Sequence, residues 1–200
     1  MKIAILVEGA TEVAFKGKLC AFLKTRLDQR MPRLTFIPQN GRIPKEDKLR
    51  RVVENLLAGA NAYDAVIALT DVYTGTNDFR DANDAKDKMR EWANNPQFYP
   101  HTALHDFEAW LLPYWSTIQD LADHRRSAPS GSPEAVNHHR PPSYHIREIF
   151  RAGRRQDYSK PIHEKKILEK NELMLAIQAC PELKSFVNTI LVLCEGEVIP

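Results

Sequence analysis

The chain has 200 residues, 43% of them hydrophobic, a net charge of +2 and three cysteines. That makes one domain of ordinary size, or a core with an appendage, with no apolar run near the ~18 residues of a membrane span. No leader is expected, since the short apolar run after Lys2 stops at Glu8; Cys20, Cys180 and Cys194, odd in number and far apart, suggest neither a zinc site nor a disulfide framework, so reduced thiols and cytoplasmic residence are expected.

Lys2 to Val7 reads as a short strand, apolar on both faces as central parallel strands are. A helix is predicted from Thr11 to about Arg30, with Phe15, Leu19, Phe22, Leu23 and Leu27 on one stripe. Leu34 to Ile37 is a second strand, followed by a turn at Gln39-Asn40-Gly41 and an amphipathic helix over 45–57. Ala62 to Thr70 gives a third strand that ends on Asp71. A charged helix spans about 82–94, a fourth strand spans 98–104, and His105-Asp106-Phe107-Glu108 opens a helix that Pro113 bends or stops. Ser127 to Pro142 reads as a loop or mobile insertion, and helices around 144–152, 161–179 and 182–193 close the chain.

Strands alternating with helices imply an α/β fold: a parallel sheet of about four strands with helices on both faces, plus C-terminal helices. The expected organisation is an α/β core over 1–122 and a basic loop with helical part over 123–200, packed as one compact domain. Ligands in such sheets sit at the carboxyl ends of the strands. Glu8 ends strand one, Asp71 ends strand three, and Glu108 lies just past strand four, so three acids reach the edge where this fold builds sites.

Hard divalent cations take oxygen ligands, and Mg²⁺ uses one or two carboxylates with water and substrate phosphate. A carboxylate ending an apolar strand needs compensation, and Gly9 after it allows a sharp turn and a close phosphate approach. Glu12, in the first turn of the next helix, either holds a second ion or complements the helix dipole. Asp78 either reaches the metal or caps the following helix. Glu108 is either a ligand or a salt-bridge partner of the basic segment. His105 and His163 are read either as proton carriers or as structural residues. Trp110, Tyr114 and Trp115 either stack a base or fill the core, and the spacing favours the core.

Charge is unevenly spread. From His124 to Lys166 ten Arg and Lys face four acids, a local +6 that leaves the remainder at −4. Either this is a solvated face or it meets a polyanion; the nucleic-acid candidates are Arg125, Arg126, Arg147, Arg151, Arg154, Arg155, Lys165 and Lys166.

The motifs VEGATE and LTDVY resemble those of a Toprim domain, the metal-binding α/β module of topoisomerases, bacterial primases and overcoming-lysogenization-defect nucleases. VEGATE matches the glutamate motif and its Glu-x-x-x-Glu form in the nuclease branch, which implies metal roles for Glu8 and Glu12. LTDVY supplies Asp71, but Tyr73 stands where the Asp-x-Asp motif has its second aspartate; Asp78 or Glu108 is the candidate substitute. A fuller likeness is to a small bacterial Toprim-like family often encoded beside an ABC-type ATPase and linked to phage defence. It is carried by VEGATE, DVYTGTNDF, HDFEAWLL, DYSKPIHEKK and AIQACPELKSF, although PPSYHIRE lacks the lysine of that family's PSKR-like stretch. Lys160 matches the lysine that nucleases of this branch place near the scissile phosphate. The resemblance implies a Mg²⁺- or Mn²⁺-dependent nuclease acting on DNA, with RNA as the alternative, with Glu8, Asp71 and Lys160 catalytic, Glu8, Glu12, Asp71, Asp78 and Glu108 on metal, and an ATPase partner; His163 joins the catalytic candidates as a proton carrier. A homo-oligomer is allowed, and a membrane role is not expected. The alternatives are a degenerate Toprim-fold subunit that only docks on the ATPase, and an RNA-cleaving or nucleotidyl-transfer enzyme.

Overall fold

The first strand sets the layering. In β1 (Lys2–Val7) residues Ile3 to Val7 are fully buried, because the strand lies inside a sheet covered on both faces. A computed structural model describes residues 1–72, 78–136, 140–153 and 157–200. Its sheet runs β2-β1-β3-β4, all parallel, with β2 Arg33–Pro38, β3 Ala65–Val72 and β4 Phe98–Leu104. The fold is Rossmann-like α/β, as the strand order in the sequence implies.

Successive side chains alternate between two cores. Ile3, Ile5, Val7, Ile67 and Leu69 pack with Phe15, Leu19, Leu23 and Leu27 of α1 (Ala10–Leu27) and with apolar residues from 107 onward. Ala4, Leu6, Val66 and Ala68 face the other way. They meet Leu49 and Val53 of α2 (Glu46–Leu57) and Ala85 and Met89 of α3 (Ala82–Ala93).

Past β4 the chain differs from the simple helical reading. Residues Phe107–Tyr114 wind as 3₁₀ turns, almost wholly buried, and α4 (Trp115–Ala122) follows, so Pro113 lies in the 3₁₀ part where tight turns are common. Trp110 and Tyr114 belong to the core, and Trp115 lies at its margin. The stretch read as a loop or mobile insertion is fixed at Glu134, which accepts hydrogen bonds from Trp110 Nε1 and from the Glu182 N–H at the start of α8 (Pro181–Leu193). The long helix expected over 161–179 is two helices, α6 (Lys160–Glu169) and α7 (Leu173–Ala179). Asn171 ends the first, its amide donating to the Ile167 carbonyl at 2.7 Å and to Thr117 Oγ1 at 3.0 Å. A side-chain amide that takes a helix carbonyl competes with continuation of the helix.

Helix α5 (Pro142–Ala152) is fixed at its end by close backbone approach. A Cβ on Gly153 would lie 1.7 Å from the Ala122 carbonyl oxygen, a backbone atom that cannot swing aside. Gly153→Ala is therefore expected to destabilise the chain by about 1–3 kcal/mol or more, read as a lower urea midpoint with an unchanged slope.

Candidate active site

Glu8 follows the last β1 residue, and two neighbours on β3 hold its carboxylate: the Thr70 hydroxyl and the Asp71 N–H (3.1 Å) both donate to it. Its own carbonyl accepts from Gly41 at 2.8 Å, in the turn after β2, where Gly41 has φ +122 and so favours glycine. Glu8 thus ties three strand ends together. Gly9 has φ −154, an extended value open to any residue, so the sharp-turn explanation for this glycine is set aside. A Cβ there would meet Glu12 Oε2 at 3.8 Å, an ordinary contact, so the fold itself does not require glycine at this position.

Glu12 accepts from the Gly9 N–H at 3.2 Å, which places its carboxylate at the mouth of α1 as a helix-terminal partner. It also lines, with Glu8, Gly9, Asp71 and Lys160, one open cleft bounded by Asn40-Gly41 and Phe107. Glu108, in the first 3₁₀ turn, is fully buried, and its Oε1 meets Lys160 Nζ at 2.7 Å. The geometry therefore carries the helix-terminal reading of Glu12 and the salt-bridge reading of Glu108.

Two further acids join them that sequence reasoning left out of the site. Asp106, at the opening of the turns after β4, is fully buried, and its Oδ2 accepts from the Ser143 N–H at 3.2 Å in the first turn of α5, with no side-chain bond to its own turn. Glu164, counted only among the charges of the basic segment, is fully buried one helical turn after Lys160, and Tyr158 donates to its Oε1 at 3.2 Å. No sequence signal marks Glu164 apart from its i+4 spacing from Lys160.

The crowding shows in proton affinity. Burial, then the charges of Glu8, Asp106, Glu12 and Glu108, hold Asp71 well above the usual carboxylate range. Burial pushes Glu8 and Glu12 up against their hydrogen bonds. Glu108 is pushed up to about 7 by burial and Asp106, against the pull of Lys160, and Glu164 up to about 9 by burial and Glu108. Burial alone would lower Lys160, but Glu108, Asp106 and Glu164 outweigh it, so its ammonium is retained.

Hard oxygen donors fit a divalent cation. So does the state of their atoms: Glu108 Oε2 and Asp106 Oδ1 are buried without a hydrogen-bond partner, which is costly for a charged group. Among the described residues no three His, Cys, Asp or Glu side chains are gathered closely enough to hold a metal ion as they stand.

Asp78 lines a pocket with Glu8, Thr70 and Asp71, where it pairs with Lys45 (2.5 Å) and Arg42, which lower its pKa; the cap of α3 is Asp81. His163 is held in a local aromatic stack; its Nδ1 accepts from the Ser159 N–H at 2.8 Å and its ring packs on Phe150 and Tyr158. That is the structural alternative for His163. His105 is buried just past β4. Of the basic candidates, Arg125, Arg151 and Lys165 pair with Asp120, Glu148 and Glu169. Arg147 donates to Ser143, while Arg126 and Lys166 are exposed. Tyr73, His138, His139, Arg154 and Arg155 lie outside the described residues.

A four-stranded parallel sheet with helices on both faces and acids at its strand ends defines a Rossmann-like α/β fold. Over residues 7–191 the chain belongs to the family DUF4276, a domain of unknown function. No protein of curated function matches it in sequence. Among solved structures it is similar to the C-terminal region of the Burkholderia pseudomallei OLD protein, at TM-score 0.53 and 13% identity, covering 96% of this chain and 98% of that one. It is also similar to the C-terminal region of the Xanthomonas campestris pv. campestris OLD protein, at TM-score 0.44 and 14% identity over 94% and 97% of the two chains. The likeness to the Burkholderia region supports the fold. No helix among the described residues is long and apolar enough to cross a membrane.

Glu164 supplies a test of the crowding. Its folded pKa of about 9 lies above the ordinary 4.5, so the folded chain holds that proton more tightly than the unfolded chain. Its contribution to stability is present below the unfolded pKa and is lost as pH rises toward 9. In Glu164→Gln the fall in melting temperature between about pH 5 and pH 8 is expected to be smaller than in wild type; an equal fall would mean that Glu164 is not the strained group.

Proposed function

We propose that this chain is a Toprim-type nuclease that uses Mg²⁺ or Mn²⁺ to cleave or nick DNA. The observation that carries the reading is the meeting of Glu8, Glu12, Asp71 and Glu108 with Lys160 at the carboxyl ends of a parallel sheet. The fold shared with the OLD C-terminal region adds to it.

Glu8, Asp71, Glu12 and Glu108 would hold the cation, which when bound supplies Lewis-acid polarisation of a phosphoryl oxygen and a nucleophile at neutral pH. The chain's own groups have separable tasks. Thr70 and the Asp71 N–H orient Glu8. Lys160, 41% exposed and kept protonated by its acidic neighbours, is suited to holding a phosphate and the negative charge that develops on it, and unsuited to acting as a base. Exposed Arg126, Arg147 and Lys166 on and around α5 and α6 would hold the nucleic-acid backbone in a salt-sensitive way. Pairing with an ABC-type ATPase and a role in phage defence belong to the same proposal and rest on the motif resemblance alone.

One feature favours a second reading. Tyr73 replaces the second aspartate of the Toprim motif, as a fold kept only for docking on a partner would tolerate.

The test is nicking of supercoiled plasmid by the purified chain in Mn²⁺, Mg²⁺ and EDTA. Nicking is expected with either ion and none in EDTA, and Glu8→Ala should lower the rate at least about 100-fold. Nicking that survives both EDTA and Glu8→Ala would overturn the proposal. No nicking, alone or with the neighbouring ATPase, would favour the docking subunit.

A further inference from the structure

Glu8 and Asp71 line two clefts. One is the open cleft that also holds Lys160; the other is bounded by Arg42, Lys45 and Asp78 and backed by Phe79 and Trp92. The second cleft has cations of its own. Arg42 follows the Gly41 turn that is hydrogen-bonded to the Glu8 carbonyl, so it starts from the sheet edge that carries the acids, and its charge reaches the Glu8 carboxylate. One internal carboxylate holds both cations: Asp78 Oδ1 takes Lys45 Nζ at 2.5 Å, and Oδ2 takes Arg42. Two cations that each grip one oxygen of a single anion are also suited to a phosphate. With Asp78 in place the space left in this cleft is about 20 Å³, room for one water-sized group and not for a phosphate.

The position of residue 78 does not depend on that ion pair. Lys88 Nζ donates to the Asp78 carbonyl at 3.2 Å, and the next side chain, Phe79, packs on Trp92 with ring centroids 6.0 Å apart. All three charged side chains are open to water, Arg42 at 61%, Lys45 at 43% and Asp78 at 26%. Pairs as exposed as this add little to stability, so the contact is readily exchanged for another anion. We infer that Arg42 and Lys45 form a seat for a backbone phosphate of a nucleic-acid strand, and that Asp78 fills this seat in the free chain as an internal stand-in that the strand displaces. The inference rests on the nucleic-acid reading above. It gives the strand a cationic hold in each of the two clefts that Glu8 and Asp71 share, Lys160 in one and Arg42 with Lys45 in the other. The apolar wall of Phe79 and Trp92 keeps the field of the second pair strong.

The experiment is fluorescence anisotropy of a labelled single-stranded DNA of about 20 nucleotides on the full chain, in EDTA and again in Ca²⁺. The proteins are wild type, Asp78→Asn, the Arg42→Ala/Lys45→Ala pair, and the triple variant. Asp87→Asn is the control, since it removes one exposed acid paired with Arg90 on the outer face of α3. Asp78→Asn keeps the shape of the side chain and should melt close to wild type. It should bind the strand about three- to tenfold more tightly, with a salt slope steeper by about one, because two cations no longer carry their own counterion. The Arg42→Ala/Lys45→Ala pair should bind about tenfold more weakly, and adding Asp78→Asn to it should change nothing. An equal gain in Asp87→Asn, or a gain from Asp78→Asn that survives loss of both cations, would mean a general charge effect and would overturn the inference. So would a lower melting point in Asp78→Asn with unchanged affinity, which would make the contact structural; both outcomes leave the nuclease reading in place. Binding by neither wild type nor Asp78→Asn would overturn the nucleic-acid reading and this inference together.

Discussion

Everything at the carboxyl edge of the sheet depends on one ion pair, Lys160 with Glu108 at 2.7 Å. Six carboxylates, those of Glu8, Glu12, Asp71, Asp106, Glu108 and Glu164, stand close enough for several to raise one another's proton affinity, and Lys160 is the cation that the structure sets against Glu108. Buried like charges disfavour ionisation, and a protein keeps such a group only where something compensates it. Part of the compensation here is Lys160, part is the proton that Glu164 holds more tightly than usual, and part is local hydrogen bonding.

That hydrogen bonding explains why the acids stay in place. Glu8 is held from β3, Glu12 by the N–H of Gly9 just ahead of its own helix, Asp106 by α5 and Glu164 by Tyr158. Each acid is thus anchored to a different element, so the site is a meeting of the α/β core with the helices that follow it. The Lys160 end of α6 packs against α1 on the same face of the sheet, bringing residues far apart in sequence to one cleft. Electrostatic strain at such a place is stored by the packing of both cores.

The layered fold was legible because strand signals are strong where both faces are buried. β4 falls on the predicted residues, and β1 and β3 read as continuous apolar runs with acids at or just beyond their ends. Glu8, Glu12, Asp71, Glu108 and Lys160 could be brought together from topology and motif. Asp106 and Glu164 could not: a carboxylate in a charged stretch looks the same whether it faces water or a buried neighbour, and only packing separates the two. Likewise Gly9 suggested a tight turn, although its backbone is extended, and Asn171 gave no sign that its amide would divide a helix. Local preference is a weak guide where a single side-chain hydrogen bond decides.

The anchoring of Glu134 has a consequence for the chain between α4 and α5. On one side the Arg126 carbonyl accepts from both Trp115 Nε1 and Gln119, and on the other Glu134 is locked to Trp110 and α8. Ser127 to Ser132 is a largely exposed span strung between these two fixed points. Its length is therefore uncoupled from the core: doubling it would cost only about 0.6 kcal/mol of closure entropy. A change in the length or content of that span would leave the carboxylates in place, because they are held by other elements.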